Sequence, residues 1–405
     1  MTGEQIVASI DIGTVSVKCV VAVCAKQEDV TVIGTGTAAM KGMRGGVVHN
    51  RAEVVSAIRR AKEEAALMAG CDLEEVVVTV SGQLSEGMNS SGSWRVKTGE
   101  VSRDDIVQVL DIACARRLPD HREVAFCIPG QFFADEQISV GRPLGVRAVR
   151  LEVLTHLIVT QRGTQAELEA CCREAGLQVK TFIHSGVATA EVYLRESDRE
   201  SGAIIIDIGG NATEVAVYLR GALVYTSVIP FGGEHVTADL QECLSLPMVE
   251  AERLKQVAGC ALAWTVGEHE RVEVPGGMGG KTRTLKRDHV AGIIEARYEE
   301  LLHIVRASLE RAEITLSDCA GVVLTGGGSN VACLTDLADR VLGASSARGE
   351  PRGLSGLADA VRHPKYATAT GAVLCAFRGR ADHFVRPRTT AQSRSTWSRF
   401  VEWIR

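Results

Sequence analysis

An α/β fold of two half-molecules facing each other across a cleft is predicted by three features of the sequence. Two are copies of one phrase, in which an apolar run meets Asp-Ile-Gly and a second apolar run follows. Ile6-Val7-Ala8-Ser9-Ile10 leads into Asp11-Ile12-Gly13-Thr14, and Ala203-Ile204-Ile205-Ile206 leads into Asp207-Ile208-Gly209-Gly210. Each copy reads as a β-hairpin whose tip carries a carboxylate and glycine. The third feature is an apolar strand over 321–325 that runs into Gly326, Gly327, Gly328 and Ser329, with a helical stretch at 331–342. Facing tips of this kind suit a triphosphate and its metal. Glycine turns present backbone N–H groups to phosphate oxygens, three glycines admit a ligand closely, and a helix N-terminus favours anions. An Asp on each side can hold the waters of a Mg²⁺ ion. A lone Asp-x-Gly turn is commonplace, so the specificity lies in the ordered set of three.

Bulk composition agrees and narrows the function. At 405 residues the chain exceeds one ordinary core and implies two to four subdomains. Its 45% apolar and 23% charged content is that of a globular protein. A net charge of −5 and 4% aromatic residues leave neither the basic field nor the stacking platforms of a nucleic-acid binder. The first residues pass straight into a strand with no export segment, and no run approaches the ~20 apolar residues of a membrane span. The 12 cysteines lack a C-x-x-C pair, so free buried thiols in a reducing cytosol are expected. The 10 histidines show no metal-ligand spacing.

The elements follow in order. After the first hairpin come a strand near 31–36, a Gly-rich loop at 41–46, and a helix over 51–69 that buries Val54, Ile58, Ala61, Ala65 and Met68 and stops at Gly70. A wholly apolar strand at 76–80 belongs inside a sheet covered on both faces. Residues 84–99 turn polar and Ser/Gly-rich, and a helix then starts at the capping box Ser102-x-x-Asp105. With strands at 124–128 and 151–160, the stretch 83–161 reads as an inserted α+β module. The first half resumes with a helix capped by Thr164-x-x-Glu167 and a strand at 179–183. The second half runs through the second hairpin, the Arg220-Gly221 turn and a strand at 222–228. A helical, polar region at 235–315 contains the loop Pro275-Gly276-Gly277-Met278-Gly279-Gly280, and a helix at 367–378 closes the fold.

These motifs, in this order, resemble the actin-like ATPase superfamily and, within it, the FtsA family of bacterial cell-division proteins. The resemblance runs nearly end to end, through Gly42-Met43 to Gly46-Val47, residues 61–70 and 78–82, and Val228-Ile229-Pro230-Phe231-Gly232-Gly233. It continues in Gly259-Cys260-Ala261, Arg297-Tyr298-x-Glu300-Leu301-Leu302 and Tyr366-x-Thr368-Ala369-x-Gly371. It implies an actin-like two-lobed fold with first-lobe core (1A) at 1–82 and 162–200 and the inserted subdomain (1C) at 83–161. The second-lobe core (2A) would cover 201–232 and 316–378, and a helical subdomain (2B) 233–315. ATP and Mg²⁺ are the implied cofactors. Asp11, Gly13, Thr14 and Lys18 match the first phosphate motif; Asp207, Gly209, Gly210 and Asn211 fall in the second; Gly326 to Ser329 match the adenosine motif. Asp11 and Asp207 would hold the metal through water and supply any weak catalysis. Ala251-Glu252-x-x-Lys255 looks like the helix that reaches base and ribose, Glu252 and Lys255 sharing one face. The family's second motif usually reads D-I-G-G-G-T-T-D, and here Asn211, Ala212 and Glu214 depart from it. Asn tolerates a left-handed turn, while the hydroxyl lost at Ala212 suggests nucleotide binding with slow or absent hydrolysis.

A linker at 379–393 precedes a tail at 394–405 in which Trp397, Phe400, Val401 and Ile404 recur at i, i+3, i+4 and i+7, with Trp403 at the edge. Arginines flank the stripe, the pattern of a short helix lying in the lipid interface. By resemblance, the chain would polymerise, anchor the tubulin-like division ring to the cytoplasmic face of the membrane and recruit later division proteins. The ring protein's C-terminal peptide would dock near Arg297 and Glu300. Two rivals share the hinge architecture: a pilus-assembly relative, and a sugar-kinase-type phosphotransferase for which no further acid aimed at the cleft is evident.

Overall fold

The structure is a computed structural model and describes residues 4–25, 30–135, 140–276, 282–357 and 361–379. Two sheets of one plan organise it. In the first, β1 (Gln5–Ile12), β2 (Ser16–Cys24) and β3 (Val30–Ala39) form an antiparallel meander, and β1 also pairs in parallel with β6 (Glu75–Val80), which pairs with β10 (Gln178–His184). In the second, β11 (Ala203–Ile208), β12 (Thr213–Leu219) and β13 (Ala222–Ile229) form the meander, and β11 pairs in parallel with β16 (Gly321–Thr325), which adjoins β17 (Ser346–Arg348). A short strand from the second half, β18 (Leu354–Gly356), closes the first sheet on β3. The apolar runs before Asp11 and Asp207 are therefore central strands, buried on both faces, and each aspartate ends its strand at the same edge.

Helices cover both sheets. α1 (Arg51–Ala69) begins at Asn50, whose side chain accepts from Glu53 N, and ends at Gly70 with φ 65°. α3 (Thr164–Glu174) packs beside it, but its cap is Gly163; the Thr164 hydroxyl donates instead to Gln161 O at 2.8 Å. The expected Thr164 box fails because the preceding turn takes φ 86°, which glycine accommodates. Between the lobes, α4 (Ser185–Tyr193) crosses α10 (Ala367–Phe377). All nine residues of α4 are buried, which explains why neither helix shows a polar stripe. A five-residue α5 (Glu196–Glu200) then leads to β11.

The inserted module is a three-stranded antiparallel sheet, β7 (Glu86–Arg95), β9 (Arg150–Gln161) and β8 (Arg122–Ala134), covered by α2 (Arg103–Cys114). The Ser102–Asp105 capping box forms as expected. β7 was not evident from its polar composition. Its inner face is small because the backbone of α2 lies on it, with Ser90 Oγ donating to Ala113 O at 2.5 Å. Cys114 and Cys127 form a disulfide here, contrary to the expected free thiols; α2 and β8 bring their Cα atoms to 6.2 Å.

The helical part of the second lobe holds α6 (Gly233–Leu244), α7 (Met248–Ala258) and the long α8 (Arg287–Arg311). A hairpin, β14 (Arg271–Val274) and β15 (Arg283–Lys286), flanks the Gly-rich loop, of which residues 277–281 lie outside the described set. α9 (Leu334–Leu342) starts three residues later than expected, at a Cys333 with φ 59°. The Gly-rich loop of the first lobe makes a small hairpin of β4 (Met43–Arg44) and β5 (Val47–Val48). Among the described residues no helix is long and apolar enough to cross a membrane. The tail with Trp397, Phe400, Val401, Trp403 and Ile404 lies outside them.

Candidate nucleotide cleft

A cavity of about 790 Å³ opens where the two hairpin tips meet, within the size range of small-ligand sites. Asp11 at the end of β1 accepts from Lys18 Nζ at 2.9 Å and from Thr79 Oγ1 at 2.8 Å. Opposite, Asp207 at the end of β11 accepts from Thr189 of α4 and Thr368 of α10, both at 3.2 Å. Burial, and then the charge of Asp11, raise the Asp207 pKa above the usual carboxylate range. Glu214 on β12 sits beside them, accepting from Ser185 Oγ at 2.5 Å; burial foremost, with Asp207 and Asp11 adding, pushes it up to about 8. Asp11, Asp207 and Glu214 thus stand together beside Lys18; among the described residues no three such groups are arranged as direct metal ligands, so the pair of aspartates suits an ion held through its own waters.

Backbone packing sets the width of the cleft. Gly13 N bonds Ser16 O at 3.2 Å and Gly209 N bonds Ala212 O at 2.9 Å, closing two tight turns. A Cβ at Gly210 would lie 2.2 Å from Val15 Cγ2, so glycine is required where the tips touch. The turn uses no left-handed residue at Asn211, so the tolerance expected there is not what preserves it. Asn211 instead offers its carbonyl to Gln83 Nε2 at 3.3 Å, across from the first lobe. Gly326 does need its freedom: its φ is 87°, and a Cβ would meet Asp207 Oδ1 at 2.2 Å.

Most residues singled out from the sequence line this cavity: Asp11, Gly13, Thr14, Lys18, Asp207, Gly209 and Gly210, then Glu252, Lys255 and Gly326 to Gly328. Asn211 and Ser329 do not; the Ser329 hydroxyl turns inward to Gly326 O at 2.8 Å. The three-glycine turn continues as a 3-10 turn, Gly327–Ser329, so α9 does not present its N-terminus directly behind it. Lys255 has all three donors engaged, to Gly233 O at 2.8 Å, Thr237 Oγ1 at 2.7 Å and Glu252 Oε2 at 2.7 Å. It braces α6 against α7, and Glu252, which also accepts from Thr237 Oγ1 and from Gln256 Nε2, lines the cavity beside Glu234 and Gln256. Arg297 is likewise engaged, bonding Asp239 at 2.5 and 2.9 Å and Glu300 at 2.7 Å. Between those two residues, the Tyr298 hydroxyl donates to Gly328 O at 2.5 Å. Ser185 and Thr189 escaped the sequence reading, and Thr368, Glu214 and Tyr298 entered it only as motif positions with no role in the cleft. Hydroxyls in otherwise apolar helices were the available signal for the threonines. Glu214 also supplies the further acid that the sequence reading had not found.

Full-length similarity matches this geometry. The chain is 35% identical over 94% of its length to the cell division protein FtsA of Pseudomonas aeruginosa, covering 91% of that protein. With the FtsA of Escherichia coli it shares 33% over its whole length and 98% of the relative's. The chain belongs to the FtsA family of cell division proteins. A family model described as cell division protein FtsA matches residues 204–371, and one described as the SHS2 domain inserted in FtsA matches 82–159, the inserted sheet and α2. Among solved structures, a PilM-PilN type IV pilus biogenesis complex aligns with a TM-score of 0.66 at 16% identity, covering 92% of this chain and 98% of that one. MreB5 of Spiroplasma citri bound to ADP aligns at 0.54 and 11% identity, covering 92% and 96%. Those two show the actin-like fold that the FtsA family shares.

Proposed function

We propose that this FtsA-family chain binds Mg-ATP between its lobes, assembles into filaments and tethers the tubulin-like division ring to the cytoplasmic face of the membrane. The observation that carries it is the convergence of three glycine turns and the facing Asp11 and Asp207 on one cavity, in a chain with FtsA relatives along its full length. Gly13 and Gly209 would let the turns approach the phosphates closely, their own N–H groups closing the turns, and Thr14 and Gly210 would offer backbone N–H groups, with Lys18 a point charge beside them. Glu252 would accept from ribose hydroxyls, and the exposed Met248 and Val249 at the cavity mouth would cover the base. A divalent cation would sit between Asp11 and Asp207, which would hold it through water. Bound there, Mg²⁺ would supply neutralisation of the phosphate charge.

Asn211 and Ala212 stand where the family usually has glycine and threonine, and this supports slow turnover, the nucleotide acting as a timer of assembly. The pilus-type likeness is one of fold at 16% identity, whereas the relatives at 33–35% are division proteins. The tail supplies the proposed membrane contact, and the surface near Arg297 and Glu300 the proposed dock for the ring protein's C-terminal peptide. Other division proteins and further copies of the chain complete the proposed partners.

Electron microscopy with Mg-ATP on anionic liposomes tests the whole proposal. Filaments on the vesicles are expected with the full chain and not with one ending before Ser395. Brisk Mg²⁺-dependent phosphate release in a single-turnover assay would overturn the slow-timer part.

A further inference from the structure

By chain order the inserted subdomain belongs to the first lobe, yet its sheet is seated on the second. The seat is β13. His156 of β9, buried in the interface, contacts Thr226 Oγ1 through Nε2 at 2.8 Å and Asn89 Oδ1 of β7 through Nδ1 at 2.8 Å. Asn89 Nδ2 donates to Val224 O at 2.9 Å, and Gln131 Nε2 of β8 donates to Arg220 O at 3.3 Å. β7 lies so close that a Cβ at Gly87 would stand 2.4 Å from Thr226 Oγ1.

The same strand leads into the cleft. Past Ile229 the chain reaches Gly233 and Glu234, whose N–H groups donate to Gly209 O at 2.9 Å and Gly210 O at 2.8 Å, and Thr213 Oγ1 donates to Phe231 O at 2.7 Å. One strand thus joins the seat of the insert to the second glycine turn. Two first-lobe contacts run in parallel. Gln83, at the root of the insert, bonds Asn211 O. Phe126 of β8 stands edge-on to His184, its ring centroid 6.0 Å away, and the next residue, Ser185, holds Glu214.

We infer that the inserted subdomain reports the state of the cleft: a shift of the turn at 209–214 is carried along β13 to the His156–Thr226 contact and repositions the insert on the second lobe. The outer surface of the insert then differs between nucleotide-bound and empty chains. The contact favours discrete positions, because a buried imidazole or hydroxyl left without its partner is costly. The inference rests on the nucleotide reading above.

Hydrogen exchange on the full chain, with and without Mg-ATP, tests both and separates them. Mg-ATP is expected to slow exchange at 209–214 and 326–329 and to change it about five- to tenfold at 86–95 and 150–161, the low end of ordinary site-to-site coupling. Thr226→Val keeps the shape of the side chain and removes the hydroxyl. It should retain the cleft effect and lose the effect at the insert, while Thr226→Ser restores it. Gly87→Ala, which wedges β7 from β13, should uncouple the insert independently. A wild-type insert that does not respond while the cleft is protected overturns the inference and leaves nucleotide binding standing. So does transmission that persists in both Thr226→Val and Gly87→Ala. Absence of protection at the cleft itself overturns the nucleotide reading, and this inference with it.

Discussion

Gly210 shows how much of the cleft is decided by single atoms. Its neighbour across the gap is Val15, and any side chain at 210 must push the two hairpin tips apart. Gly210→Val is expected to weaken Mg-ATP binding by more than about tenfold, or 1.4 kcal/mol, with little change in melting temperature. Val15→Ala in the same chain should recover part of the loss, and titration calorimetry on the four-member cycle reads it. Tyr298→Phe makes a different prediction. It removes the donor to Gly328 O inside a fully buried environment, so stability should fall by roughly 1–3 kcal/mol in urea unfolding. At this scale the sequence was legible where chemistry and backbone requirement coincide, as at Asp11, Asp207 and Gly326. It was not legible where a side chain's partners come from distant elements. The two α6 acceptors of Lys255, Gly233 O and Thr237 Oγ1, and the Ser185–Glu214 contact exist only once α6, α7 and α4 are packed.

Whole elements were readable when their periodicity was driven by one apolar face. α1, with Val54, Ile58, Ala61 and Ala65 inward and Gly70 as its stop, follows its sequence except in its last turn, where Met68, expected on the buried face, is exposed. β7 did not, since its covered face is Ser and Gly under a helix backbone, and the Cys114–Cys127 pairing depends on a crossing that no local spacing announces. The junction of the insert with the lobes also carries a pH signature. Burial lowers the His156 pKa to about 4, and burial with the nearby His156 lowers that of His184 to about 3, from an ordinary value of 6.5. Between those values the unfolded chain binds more protons than the folded one, so stability rises with pH there and is lost as pH falls from 6.5 toward 4. Glu214 acts in the opposite sense: raised from 4.5 to about 8, its contribution is full below 4.5 and lost as pH rises through 8. A His156→Gln chain keeps a polar side chain without the titration. It should therefore show a flatter decline than wild type between pH 6.5 and 4, read as the difference between their urea midpoints; equal slopes would assign the acid limb to other groups.

For the whole molecule the decisive question is how a weak tail gives a firm attachment. Ten residues make a helix of only ~15 Å, and a single short amphipathic helix binds lipid marginally and reversibly. Filament formation changes the arithmetic, because each further tail binds at the effective concentration set by its linker to an already attached neighbour. The proposed membrane function therefore requires the proposed nucleotide-dependent assembly. Attachment should rise steeply with protein concentration and with Mg-ATP, and not simply in proportion to either. Replacing Trp397 and Phe400 by Asp should abolish co-sedimentation with anionic vesicles while leaving nucleotide affinity unchanged. Gly210→Val should lose vesicle attachment as well, although its tail is intact. If Gly210→Val chains instead sediment with vesicles as fully as wild type, the tail suffices alone, and the link between cleft and membrane is removed from the account.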